Sequence, residues 1–282
     1  FFEDAITASR ELEITLTGKD CGLEERAPMC GVPFHAVDGY LNRLVSKGYK
    51  VAICEQVEDP KLAKGIVKRE VIRIVTPGTN LNTQALEESK NNYLMCIACF
   101  QNRIGVSIVD VTTGDFYMTE VEGLAKLQDE IYKYMPTEII CNDAFVMSGY
   151  DIEDLKGRLG MAVYTLEPWY FDDDGCRKCL MNHFKVNTLA GLGLEDFPSG
   201  MISAGAAMQY LLETQKTDLT HINHIIPYLA SRFMLLDSST RRNLELTETL
   251  REKQKKGSLL WVLDKTKTAM GARRLRSDIE QP

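Results

Sequence analysis

Three groups of residues in this 282-residue chain have types and spacings that could do chemistry. The first is acidic: Asp110 at the end of an apolar run, with Asp115, Asp143 and Asp172-Asp-Asp174 in the same stretch. Carboxylates gathered in space can hold two divalent cations and activate water against a phosphodiester. The competing reading is structural. Asp115 closes the turn Thr112-Thr-Gly-Asp115, where Asp is favoured for its bonds to local backbone, and acids are common in so acidic a segment. The second group, Cys176, Cys179 and His183, has zinc-like spacing. On a helix, however, these residues share a face with Leu180 and Phe184, and no second ligand pair stands at a zinc spacing. The third is Gly18-Lys19, which has no Gly five residues earlier; no G-x-x-x-x-G-K-[ST] phosphate loop occurs anywhere. Structural roles are expected for the first two groups and no nucleotide-binding loop at the third, so no catalytic, cofactor-binding or metal-binding residue is expected.

The elements that must position these groups are organised around residues 28–59. Pro28, Gly31 and Pro33 punctuate a loop. Val37, Tyr40, Leu41, Leu44 and Val45 then recur at helical spacing, and Gly48 stands where a C′ glycine ends a helix. Tyr49 to Cys54 is nearly continuously apolar, which predicts a strand buried on both faces. A polar stretch at 81–91 is the best linker. Three apolar bursts from Tyr93 to Val121, parted at Gln101-Asn-Arg103 and Thr112 to Asp115, predict an antiparallel meander. A helix from Leu124 to Met135 and a strand from Glu138 to Cys141 follow, an α/β order. Phe197-Pro-Ser-Gly200 reads as a break before a helix from Ile202 to Thr214. Further on, Asp237-Ser-Ser supplies N-cap types for a helix through Leu250, Ser258 caps a short apolar helix through Leu263, and another helix begins near Met270.

With 44% apolar residues the chain can build cores, and its length suggests two domains or slightly more. No run approaches the ~18 apolar residues of a membrane span. The opening FFEDAITASRELE carries acids where a secretion signal needs a basic start, so a cytoplasmic protein without a membrane partner is expected. The eight Cys, among them Cys54, Cys96, Cys99 and Cys141, read as reduced core residues. A net charge of −7 argues against nucleic acid until it is divided along the chain. Residues 1–80 hold 11 Lys and Arg against 12 acids, residues 81–214 hold 9 against 20, and residues 215–282 hold 13 against 8. The middle repels phosphate, while either end can carry a local basic face.

Pro28-Met-Cys-Gly-Val-Pro-Phe-His-Ala-Val37, Val51-Ala-Ile-Cys-Glu-Gln-Val-Glu-Asp-Pro60 and Arg73-Ile-Val-Thr-Pro-Gly-Thr79 resemble the first domain of the MutS family of bacterial DNA mismatch repair proteins. Asp237-Ser-Ser-Thr-Arg-Arg-Asn-Leu-Glu-Leu246 and Met270-Gly-Ala-Arg-Arg-Leu275 resemble the start of that family's helical core, so the resemblance runs nearly the whole length. It implies an α/β multidomain fragment: a mixed α/β mismatch-recognition domain at 1–80, a linker at 81–91, an RNase H-like connector at 92–214 and the start of an all-α core at 215–282. The family connector is not known as a nuclease, which favours structural roles for the carboxylates.

The implied function is recognition of mismatches or small loops in bent duplex DNA. A mismatch lowers the cost of kinking, and an apolar wedge in the minor groove converts that difference into selectivity. The family wedge is the Phe of a Phe-x-Glu motif expected just upstream of Phe1. By this alignment Phe1 and Phe2 are assigned to the core instead. Thr17, Lys19 and the loop of Gly31, Val32, Pro33, Phe34 and His35 match segments beside the duplex and are the expected backbone contacts. The competing reading has Pro33-Phe34 closing the core and His35 opening the helix. In the longer parent, the resemblance implies a homodimer, a C-terminal ATPase using ATP and Mg²⁺, and docking of MutL through the connector. The alternatives are a metal-dependent nuclease at 92–214 or a pure protein-interaction scaffold.

Overall fold

A computed structural model describes the chain except at residues 23, 60–64, 66, 82–88, 102, 231–233, 235 and 282. It divides into two compact units, Phe1–Ala85 and Leu86–Pro282. The expected linker at 81–91 falls largely on 82–88, outside the described residues.

In the first unit, helix α1 (Phe2–Leu12) buries Ala5 and Leu12. Strands β1 (Thr17–Lys19) and β2 (Ala27–Met29) pair antiparallel. Helix α2 (Val37–Val45) sets Leu41 and Val45 against Val75, with Val51 and Ile53 packed alongside. Its end follows the glycine expectation. Gly48 has φ 84, its N–H donates to Val45 O at 2.9 Å and that of Tyr49 to Leu44 O at 3.1 Å, the paired bonds of a left-handed C′ residue. Strands β3 (Val51–Gln56) and β4 (Arg69–Val75) form a two-stranded antiparallel ribbon.

Two expectations fail in this unit. β3 is not buried on both faces: Val51 and Ile53 are half-buried while Ala52 and Cys54 are exposed, so Cys54 is not a core thiol. A two-stranded ribbon lying on one helix has only one covered face. Nor are Phe1 and Phe2 core residues, each being 53% exposed. The buried stripe of α1 runs through Ala5 and Leu12, and both phenylalanines precede it.

The second unit is built on the predicted meander, β5 (Tyr93–Phe100), β6 (Arg103–Asp110) and β7 (Asp115–Glu122), antiparallel throughout. Helix α3 (Gly123–Tyr134) leads to β8 (Glu138–Cys141), which joins β5 in parallel. Short helices α4 (Asp143–Val146) and α5 (Ile152–Gly157) precede β9 (Ala162–Thr165), parallel to β8. Helices α6 (Asp173–Phe184) and α7 (Pro198–Gln215) follow. The short strand β10 (Ile226–Pro227) pairs parallel with β7, giving the sheet order β10-β7-β6-β5-β8-β9.

Two apolar clusters cover the two faces. One joins Leu94, Cys96, Ala98, Val109 and Phe116 to Cys176 and Leu180 of α6 and to Met201 through Leu211 of α7. The other joins Met95, Ile97, Val106 and Ile108 to Leu127 and Ile131 of α3, Phe145 and Leu155. Helices on both faces of a mixed sheet make the three-layer α/β architecture expected of an RNase H-like domain. The layers touch closely at Gly105, where a Cβ would stand 1.9 Å from Ser199 O of α7.

Phe197-Pro-Ser-Gly200 is not a break, because Pro198 opens α7 at a position where its missing N–H costs nothing. Residues beyond 214 also serve the sheet: Leu219, Ile222 and Ile225 enter the first cluster and Tyr228 the second. Then come α8 (Ser238–Asn243), α9 (Leu259–Leu263) and α10 (Ala269–Glu280). Asp237 caps α8 as expected, accepting from Thr240 N at 2.6 Å. The helix does not run to Leu250, because Glu245 turns left-handed (φ 47) and carbonyls of Glu245 and Leu246 accept from Leu259 and Leu260 of α9. Ser258 caps α9 through Trp261 N at 3.3 Å. Among the described residues no helix is long and apolar enough to cross a membrane.

Candidate nucleic-acid interface

The β1–β2 register places the expected contacts. Thr17 pairs with Met29 and Lys19 with Ala27, so the loop beginning at Cys30 leaves the hairpin beside Thr17. Lys19 lies two residues farther along, about 7 Å at strand rise. Thr17 Oγ1 donates to Met29 O at 2.9 Å, tying the loop's root to β1. Gly31, Pro33, Phe34 and His35 are exposed and Val32 is half-buried.

Phe34 is 85% exposed, so it does not close the core. It begins a single 3₁₀ turn, Phe34–Ala36, in which Ala36 N donates to Pro33 O at 3.0 Å. Pro33 at φ −62 and α2 immediately after hold that turn at both ends. A large aromatic ring is thus presented to solvent on short, constrained backbone, with His35 beside it. Such a ring can stack on a base or pack on a sugar, while the exposed ammonium of Lys19 and the backbone N–H groups of the loop can meet phosphate.

Two neighbours were not anticipated. Arg26 lies alongside Gly18, its Cβ 3.1 Å from where a Gly18 Cβ would stand, and so adds a second cation to the hairpin. Phe1 comes beneath Lys19, whose Nζ is 5.9 Å from the ring centroid, within cation–π range. Arg26 could have been found from a hairpin reading of residues 17–29; the contact of Phe1 with Lys19 joins separate elements and has no local signal. Asp20, Glu24 and Glu25 sit in the same connection. Attraction for phosphate is therefore local to individual cations and not a field of the whole hairpin.

The other two groups resolve into structure. Asp110 is fully buried, and its two oxygens accept from Asn91 Nδ2 at 2.8 Å, Asn92 N at 3.1 Å, Thr112 N at 2.8 Å and Thr112 Oγ1 at 2.5 Å. Four donors fill the acceptor sites of a carboxylate. Asp115 pairs opposite Asp110 and binds Thr113 Oγ1 at 2.7 Å. Asp172 caps α6 by accepting from Gly175 N, Asp173 pairs with Arg177, and Asp143 sits in the first turn of α4. Each carboxylate thus serves its own turn or helix end.

Cys176 and Cys179 lie in or against the first apolar cluster. The Cys176 thiol, pushed up to about 12 by burial, donates to Tyr170 O at 3.2 Å. His183 Nε2 meets Ile222 O at 2.6 Å. Among the described residues no three His, Cys, Asp or Glu side chains converge as a metal site would need.

Family models match in chain order: MutS domain I at residues 1–84, MutS domain II at 92–223 and MutS domain III at 239–282. A "DNA mismatch repair protein MutS" from Lachnoclostridium phytofermentans is 67% identical over 282 residues, covering 100% of this chain and 30% of the relative. Proteins of the same name from Ruminiclostridium cellulolyticum and Acetivibrio thermocellus are 55% and 53% identical, again across 100% of this chain and 32% of their own length. The chain thus spans about a third of the curated relatives it matches.

Proposed function

The chain belongs to the MutS family of DNA mismatch repair proteins, and on that premise we propose that its first unit holds bent duplex DNA through the β1–β2 hairpin and the loop that follows. The observation that carries this reading is the Gly31–His35 loop, with Phe34 85% exposed on a constrained turn beside a strand bearing Lys19. Thr17, Lys19, Gly31, Val32, Pro33, Phe34 and His35 contact the sugar–phosphate backbone and position the duplex. Discrimination of the mispair belongs to a Phe-x-Glu wedge outside this chain. Recognition is assigned to residues up to about 80 and the connector to residues from about 92, with the sheet's last strand and clusters carrying the connector past 214 to Tyr228 and the helical core following it.

The acidic connector does not bind DNA. It docks the downstream factor MutL and relays the DNA-bound state, while the ATPase, its ATP and Mg²⁺ and the homodimer contacts belong to the length of the parent that this chain does not span. The parent works in the cytoplasm.

Fluorescence anisotropy with matched and G·T duplexes at low and moderate salt tests the reading. Binding is expected to be weak and steeply salt-dependent, with little preference for the mismatch, and Lys19→Ala should lower the salt slope by about one unit. A longer chain extended through Phe-x-Glu should recover the preference. If the present chain already favours G·T about tenfold, roughly 1.4 kcal/mol, the wedge lies among its own exposed phenylalanines. Absence of any salt-dependent binding would remove DNA from the first unit altogether, and a pull-down with MutL would then decide whether the chain is solely a docking scaffold.

A further inference from the structure

The register of the β1–β2 hairpin assigns its side chains to two faces. Gly18 stands opposite Pro28 and Lys19 opposite Ala27. Side chains alternate along a strand, so Thr17, Lys19, Ala27 and Met29 share one face, while Gly18, Pro28 and Arg26, the residue before β2, share the other. Ala27 is buried, so the first face is covered at its centre. The second is shallow: it has no side chain at Gly18, a ring at Pro28, and the long stem of Arg26.

That stem lies across β1. Arg26 Cβ is 3.1 Å, and its Cδ and Nε are each 3.8 Å, from where a Gly18 Cβ would stand. A β-branched side chain at residue 18 would occupy the path that the stem now takes. The head of Arg26 stays open: among the described residues no acid or carbonyl accepts from its guanidinium. Asp20, just past β1, instead accepts from Gly22 N at 3.0 Å within its own turn. Arg26 is exposed, so its guanidinium is both accessible and unclaimed.

We infer that Arg26 is a further phosphate contact of the hairpin and that Gly18 is the residue that positions it. The bare α-carbon at residue 18 lets the stem lie along the strand, which presents the guanidinium from the face opposite Lys19. A planar guanidinium donates two parallel hydrogen bonds to one phosphate, a geometry that an ammonium lacks. A stem already laid against the strand loses less freedom on binding than one that moves freely. With one cation on each face, the hairpin can hold phosphates on both of its sides. This role rests on the proposed holding of duplex DNA by the first unit.

Fluorescence anisotropy of the whole chain with a labelled matched duplex, across about 0.05–0.2 M NaCl, tests both roles. Arg26→Ala should lower the salt slope by about one unit and weaken binding about five- to tenfold at about 0.1 M. Arg26→Lys should keep the slope yet bind about two- to threefold more weakly than the parent, because the charge stays and the fork is lost. Gly18→Val changes no charge; it should weaken the parent about threefold and leave Arg26→Ala unaffected, since both act through one contact. The contact is refuted if Arg26→Ala leaves the slope unchanged while Lys19→Ala lowers it. The positioning role is refuted if Gly18→Val weakens binding equally with and without Arg26. If neither Lys19→Ala nor Arg26→Ala moves the slope, the hairpin does not hold DNA, and the function proposed for the first unit falls with this contact. Thermal unfolding checks each variant. Should Gly18→Val fail to fold, the two substitutions at exposed Arg26 decide alone.

Discussion

β3 and β5 are built from similar material, Val-Ala-Ile-Cys against Leu-Met-Cys-Ile-Ala-Cys, yet one runs along the surface and the other through the centre of the molecule's largest core. Every residue of β5 from Leu94 to Cys99 is buried, alternate side chains entering the cluster under α7 and the cluster under α3. β3 has one partner strand and one helix, and nothing along it is more than half-buried. Burial is a property of the layers that close over a strand. The same contrast distinguishes what the two units can do. The second closes helices over both faces of its sheet, while the first leaves Phe34 and the hairpin cations in solvent.

The sharpest way to break that contrast is a paired glycine substitution. Gly105→Ala places a methyl 1.9 Å from Ser199 O, so α7 must lift from β6. We expect a loss of about 3–5 kcal/mol in urea unfolding, at the upper end for overpacking because the clash is with backbone. Gly31→Ala meets nothing within 4 Å and should stay within about 0.5 kcal/mol. A cost below about 1 kcal/mol for Gly105→Ala would show that the layers are not in contact there.

A paired phenylalanine truncation comes next. Phe116→Ala, at a fully buried site, should cost about 3–4 kcal/mol. Phe34→Ala should leave stability within about 0.5 kcal/mol while weakening duplex binding. Destabilisation by Phe34→Ala comparable to that of Phe116→Ala would place the ring in a core and remove it from the interface.

Asp110→Asn sharpens the account of the sandwich. An amide turns N–H groups toward donors that now converge on a carboxylate, so a loss of about 1–3 kcal/mol is expected. Incubation of the parent with Mg²⁺ or Mn²⁺ and duplex, single-stranded or hybrid substrates should give no cleavage. Turnover that Asp110→Asn abolishes would make the carboxylate catalytic.

The smallest perturbation is thiol labelling. Burial pushes the Cys141 thiol up to about 12 and those of Cys99 and Cys179 up to about 11, so at pH 8 each stays protonated as well as shielded. The thiolate is the nucleophile. Iodoacetamide followed by peptide mass analysis should therefore mark exposed Cys21 and Cys54 first, and Cys96, Cys99, Cys141 and Cys176 only on unfolding. Early labelling of Cys141 would mean that the sandwich opens locally.

What the sequence determined by itself was local or ordered along the chain. Gly48 ends α2 because few residues tolerate φ 84, Ser258 and Asp237 cap helices through their own side chains, and Thr112 to Asp115 turns the meander where period-two runs are interrupted. The order of apolar bursts and helical stretches after Tyr93 implied the α/β class, and the family motifs supplied the candidate contact loop at Gly31 to His35. The tertiary structure alone decided what depends on distant partners. Among the described residues, the exposure of β3 followed from its having one covered face, the early end of α8 from carbonyls claimed by α9, and the solvent position of Phe34 from a core built by Leu41, Val45 and Val75 that does not include it. Of the four donors on Asp110, the two from Asn91 and Asn92 reach it from before β5, while the two from Thr112 belong to its own turn. Periodicity reports which face of an element is apolar; what comes to rest against that face is fixed by contacts between residues far apart in the chain.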